Sequence, residues 1–108
     1  MSYISYDQIP AYVDIVARHE MNVNFQIATL KEKAHTRSDT SEEQVKCQEA
    51  LTEFNSYVEN ISTRLEKLKL SDERQENYVK MQVNRMRETV RLLEKELGEE
   101  LKRIQRGM

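Results

Sequence analysis

The sequence has no tryptophan, two glycines, one proline and a single cysteine. Each scarcity excludes something. Two glycines cannot build a phosphate-cradling loop, and no Gly-x-Ser-x-Gly elbow is present. So few helix breakers, beside so many Glu, Lys, Arg, Gln and Leu, favour long helices over a sheet-containing fold. One cysteine cannot close an internal disulfide, which suits a reducing compartment. Charge of a single sign is also missing: 17 Lys and Arg against 19 Asp and Glu leave a net charge of -2. No field over the whole chain therefore draws in nucleic acid or anionic lipid. No apolar run approaches the ~18 residues that span a bilayer. Met1-Ser2-Tyr3 opens without the basic and apolar regions of a signal peptide. These absences create the expectation of a soluble, cytoplasmic protein, although export by a leaderless route would leave no mark on them.

What is present is periodicity. Cys47, Leu51, Phe54, Val58, Ile61, Leu65 and Leu68 follow one another at alternating steps of four and three, and nearly everything between them is polar or charged. That is the heptad signature of a helix burying one narrow seam against a partner helix. A chain of 108 residues is one domain's worth, enough for one modest core.

Taken in order, Tyr3, Ile4 and Tyr6 precede a helix start at which Asp7 is the candidate N-cap and Pro10 sits in the first turn. Ile9, Val16, Val23 and Leu30 then recur every seven residues, joined by Val13, Ile27 and Ala34, with Glu20 as a polar break. Early in this helix Ala11, Tyr12, Val13, Ile15, Val16 and Ala17 form a wide apolar face, expected to bury against more than one neighbour. The helix should fade near His35 to Arg37. The polar stretch 37–41 is the clearest linker, with capping-box patterns at Thr40/Glu43 and Ser41/Gln44. A third segment carries its own seam through Val79, Val83, Met86, Val90, Leu93 and Leu97 to Ile104, and Gly107 sits where a helix would end. Between Leu68 and Val79 the register jumps. Ser71 and Asp72 are N-cap candidates there, so a turn between antiparallel helices is favoured over a stutter in one continuous helix.

Residues with chemical potential are few. Glu32 and His35 match one half-site of a di-iron bundle, which needs a second such pair and two more glutamates. His19 and Glu20 are adjacent, not at metal-ligand spacing. Cys47 has no partner for nucleophilic or redox work and occupies a seam position, which makes it a structural thiol. Asn60-Ile61-Ser62 fits a glycosylation pattern but lies inside the seam helix. Lys80, Arg85, Arg87 and Arg91 form a basic cluster, read as lying away from the seam of the last helix; this alone points towards nucleic acid. Interspersed glutamates favour a solvated, salt-bridged face instead.

The expected fold is all-α, one domain of three long helices over about 8–36, 41–69 and 72–106. Helices two and three are expected to form an antiparallel coiled-coil hairpin, with helix one packed along it. The narrow middle seam, flanked by Gln48, Asn55, Ser62 and Lys69, suggests burial completed by a second chain, most simply in a homodimer. Neither catalysis nor a cofactor nor a metal is implied. The expected function is protein–protein interaction, as an adaptor, assembly factor or small helical chaperone. A nucleic-acid-associated regulator using the third helix is the alternative, and an accessory or substrate of a secretion system the weaker one.

Overall fold

The computed structural model describes residues 4–107, so Tyr3 lies outside them. Three α-helices follow one another: α1 (Ile9–His35), α2 (Ser41–Glu66) and α3 (Glu73–Arg106), with a short 3-10 turn at Tyr6–Gln8 ahead of α1. Every regular element among the described residues is helical. The bundle is a rod, 56 Å long and 23 by 17 Å across.

Side-chain contacts fix the helix directions. Along α1 and α2, Tyr12 meets Arg64, His19 meets Tyr57 and Lys33 meets Glu43, so rising numbers on one helix match falling numbers on the other. These two are antiparallel. Tyr6 meets Tyr78 and Lys31 meets Glu96, so α1 and α3 run the same way. All three helices touch one another, most extensively α1 with α2 and α2 with α3.

The start of α1 differs from expectation. Asp7 is not the cap: Ser5 precedes the 3-10 turn, its N–H donating to Gln8 Oε1 at 3.0 Å while the Gln8 N–H donates to the Ser5 carbonyl at 3.0 Å. This turn holds Ile4 in the core, 3% exposed. The wide apolar face is also only partly used. Val16 is buried and Tyr12 and Val13 half-buried, whereas Ala11, Ile15 and Ala17 face solvent. Two neighbouring helices cover an arc, not the whole circumference, and these three lie outside it.

α1 ends in a Schellman motif. The Ser38 N–H donates to the Lys33 carbonyl at 3.2 Å and the Arg37 N–H to that of Ala34 at 3.1 Å, with Arg37 left-handed at φ 58°. At the start of α2, the Gln44 side chain donates to Thr40 Oγ1 at 2.9 Å, and Asp39 Oδ1 accepts from the Ser41 N–H at 3.1 Å and hydroxyl at 2.7 Å. The Thr40/Glu43 box does not form, because Glu43 turns to Lys33 instead.

The register jump after Leu68 is a turn. α2 stops at Glu66, short of the end its heptads suggest, and Leu68 leaves the helix while keeping its contact with the core, as does Leu70. α3 is firmly started: Asp72 accepts from the Gln75 N–H at 2.9 Å, and Gln75 Oε1 accepts from the Ser71 N–H and hydroxyl at 3.1 and 2.9 Å.

Candidate interaction surfaces

The seam residues form the interior of the single chain. Cys47, Leu51, Phe54, Val58, Ile61 and Leu65 of α2 meet Val79, Val83, Met86, Val90, Leu93 and Leu97 of α3 in one core, none more than 8% exposed. Ile9, Val16, Val23, Ile27 and Leu30 of α1 close it from the other side. Leu68 is half-buried. The seam of α2 therefore needs no second chain to be covered, contrary to the inference from its narrowness. α1 and α3 converge on the same stripe from two sides, and all three helices contribute to one core. A partner using these residues would have to open the bundle.

Polar groups enter this interior at a few points. Glu43, 6% exposed, accepts from Lys33 Nζ at 2.7 Å and so ties the end of α1 to the start of α2. The hydrogen bond to Lys33 holds the Glu43 carboxyl below its usual range and raises the Lys33 ammonium above its own. Glu100, 2% exposed, occupies a seam position between Leu97 and Ile104 and pairs at 3.1 Å with Arg103 one turn on. Ser62 is fully buried, and its hydroxyl has no hydrogen-bond partner among the described residues. Burial, aided by the nearby Glu43 charge, pushes the Cys47 thiol up to about 11. At neutral pH it is a protonated core residue, not a nucleophile.

The basic cluster is divided by the packing. Arg87 does not face away from the bundle: its Nε donates to Glu59 at 3.1 Å and its Nη atoms to Glu66 at 3.3 and 3.1 Å, bridging α3 to α2. Those bonds raise its already high pKa, first through Glu66 and then through Glu59. Arg91 pairs with Glu88 at 3.3 Å, and Lys80 and Arg85 stay exposed. Position in the heptad decides this: Arg87 follows Met86 on the flank that faces α2, where two glutamates are within reach, while Arg85 lies on the other side of α3.

Other contacts escaped the seam reading because they sit on its flanks. The His19 and Tyr57 rings lie 4.8 Å apart, and the Arg64 guanidinium is 5.6 Å from the Tyr12 ring centre. Both join α1 to α2, and flank tyrosines at 12 and 57 were the available sign. Glu20 is half-buried at the bundle edge. Glu32 and His35 are exposed at the end of α1, and no group of three or more metal-ligating side chains occurs among the described residues. Two open surface depressions are lined by Asp72, Glu73, Arg74 and Asn77 and by Gln48, Glu49, Thr52 and Glu53.

What remains on the outside is apolar in places. Met21 and Phe25 of α1 are 70% and 67% exposed, and Met81 and Leu92 of α3 are 50% and 58%. No described helix is long and apolar enough to cross a membrane. The chain matches no protein-family model, and neither a curated protein nor a solved structure matches it.

Proposed function

We propose that this chain is a non-catalytic helical interaction module whose partner is another protein laid along the outer face of a helix, in the manner of an adaptor, assembly factor or small helical chaperone. One observation carries the reading. Met21 and Phe25 stand one turn apart on α1, opposite its buried face, and Ala17 and Ala28 extend the same exposed stripe. Isolated exposed apolar side chains are ordinary. Two large ones on adjacent turns, prolonged by alanines, make a strip on which a second helix can pack.

The finer architecture belongs to the same proposal. α2 and α3 act as an antiparallel coiled-coil hairpin, their 4-3 seams interlocked as knobs and holes and α1 laid along them. A hairpin of this kind gives α1 a stiff support, so its outer strip is presented with little ordering required on binding.

Affinity capture from the native host tests the reading, with wild-type protein beside a Met21→Glu/Phe25→Glu double variant, each washed at low and at high salt. Wild type should hold a protein partner through the salt step, and the variant should lose it. A captured set that is the same for both proteins would sink the proposal. So would a nucleic-acid partner released steeply as salt rises, because phosphate contacts are salt-dependent and apolar ones barely so.

A further inference from the structure

α3 carries two stripes. The inner one is the core seam. The outer one repeats the same 4-3 spacing on the solvent side, from Arg74 to Glu99, about 140° round the helix at 3.6 residues per turn. Its members are exposed, apart from half-buried Tyr78. Among the described residues no hydrogen bond or ion pair engages the side chains of Arg74, Arg85, Lys95 or Glu99, and the Glu88 contact is an exposed one within the same helix.

From this we infer that the outer stripe of α3 is a self-association surface, joining two copies of this chain antiparallel about a two-fold axis level with Met86 and Arg87. The stripe runs at steps of four, three, four, three, four, three and four, so it has the same spacing in both directions. Laid against a reversed copy, Arg74 of one chain faces Glu99 of the other, Tyr78 faces Lys95, Met81 faces Leu92 and Arg85 faces Glu88. The two-fold repeats each pair. Two kinds of Arg–Glu pair flank apolar contacts, and the remaining pair sets an ammonium beside a phenol ring. A symmetric dimer requires this sort of self-complementary patch.

The alternatives are worse by the same chemistry. A parallel pairing in register sets Arg74, Arg85, Glu88, Lys95 and Glu99 each against its own kind. Sliding the antiparallel pair by seven residues in one direction opposes Arg85 to Lys95 and Arg74 to Arg106; sliding it in the other opposes Met81 to Arg85 and Leu92 to Arg74. One register out of these joins unlike charges and apolar with apolar. Exposed ion pairs contribute little each, so Met81 and Leu92 supply the adhesion while the charges select direction and register. Each chain keeps its own core in this arrangement, so dimerisation is not a condition of folding.

Sedimentation equilibrium of the full chain over a wide concentration range tests the inference, with helicity followed by circular dichroism. Wild type should pass from monomer to dimer as concentration rises. Met81→Glu/Leu92→Glu should stay monomeric with unchanged helicity. Arg85→Glu alone, or Glu88→Arg alone, should each weaken the dimer by on the order of tenfold. Mixing those two single variants should restore it, because their heterodimer again joins Arg to Glu at both symmetric positions. Restoration by mixing cannot come from contacts within one chain, and it decides the matter even if the Met81/Leu92 variant fails to fold. The inference is overturned by a wild type that is monomeric throughout, by a dimer that survives the Met81/Leu92 change, or by single variants that do not recover on mixing. A dimer abolished instead by Phe25→Glu would assign self-association to α1 and overturn it too. Since that strip is the one proposed for the protein partner, failure here leaves the functional reading standing, and the reverse also holds.

Discussion

At the scale of single residues, the interior holds two groups whose behaviour follows from burial. The Ser62 hydroxyl is buried and has no partner among the described residues. Ser62→Ala removes that penalty and improves helix propensity, so it should raise stability by about 1 kcal/mol, readable in a urea melt. A loss instead would mean that the hydroxyl is bonded in solution. Cys47 is the second. Its thiol is raised from 9.0 to about 11, so the fold favours the protonated form. Its contribution to stability is complete below pH 9 and disappears as pH climbs from 9 towards 11, where the unfolded chain ionises first. Alkaline melts of wild type should show this decline, and Cys47→Ala should show a shallower one, because the raised Lys33 and Tyr57 groups still titrate there. Maleimide labelling of the native thiol at neutral pH should be slow and should quicken as urea opens the bundle.

At the scale of elements, the helix ends reveal where local chemistry agrees with the fold and where it does not. The start of α3 agrees: Ser71 and Asp72 were readable as cap candidates, and Asp72 caps the helix while Ser71 donates to Gln75, a contact the sequence had not suggested. The end of α1 does not. Its Schellman turn puts Arg37 at a left-handed φ of 58°, a conformation that disfavours any residue with a Cβ. Arg37→Gly should stabilise the bundle by roughly 0.5–1 kcal/mol, the relieved strain less the extra freedom of glycine in the unfolded chain. Thermal melts of the two proteins measure it directly, and a lower midpoint for the glycine variant would show that the Arg37 side chain contributes more than its backbone costs. Charges at element level are worth less. Arg87 bridges two glutamates of α2, yet Glu59 and Glu66 remain half exposed and water screens them.

At the scale of the whole molecule, three helices share one core, and damage at its centre should be felt everywhere. Ile61 is 1% exposed and lies where α2 meets its neighbours. Ile61→Ala leaves a cavity and should lower stability by about 2–5 kcal/mol, a large share of the ~5–15 kcal/mol typical of a domain. The outward Val45, 52% exposed on the same helix, provides the contrast: Val45→Ala should change stability by no more than about 0.5 kcal/mol. Equal effects from the two would mean that α2 is turned differently from the structure described above.

The sequence by itself determined that the chain is helical, favoured the turn near Ser71 that makes three helices of it, and placed the 4-3 seams inward, while it overstated the buried face of α1. That information is local: a 3.6-residue period places Val58, Ile61 and Leu65 on one face whatever covers them, and Asp72 caps a helix through atoms a few residues away. Only the tertiary structure decided what covers them. The narrowness of the α2 stripe suggested a second chain, but α1 and α3 of the same chain reach it from two sides, and no single helix encodes that convergence. The same holds for Glu43, drawn from its capping role to Lys33, and for Arg87, turned from the basic cluster to Glu59 and Glu66. Those partners lie on other helices, and which side chains come within 3 Å of one another depends on the axial register and rotation of packed helices. Core volume and loop length set both together, and a periodicity read along one helix carries neither.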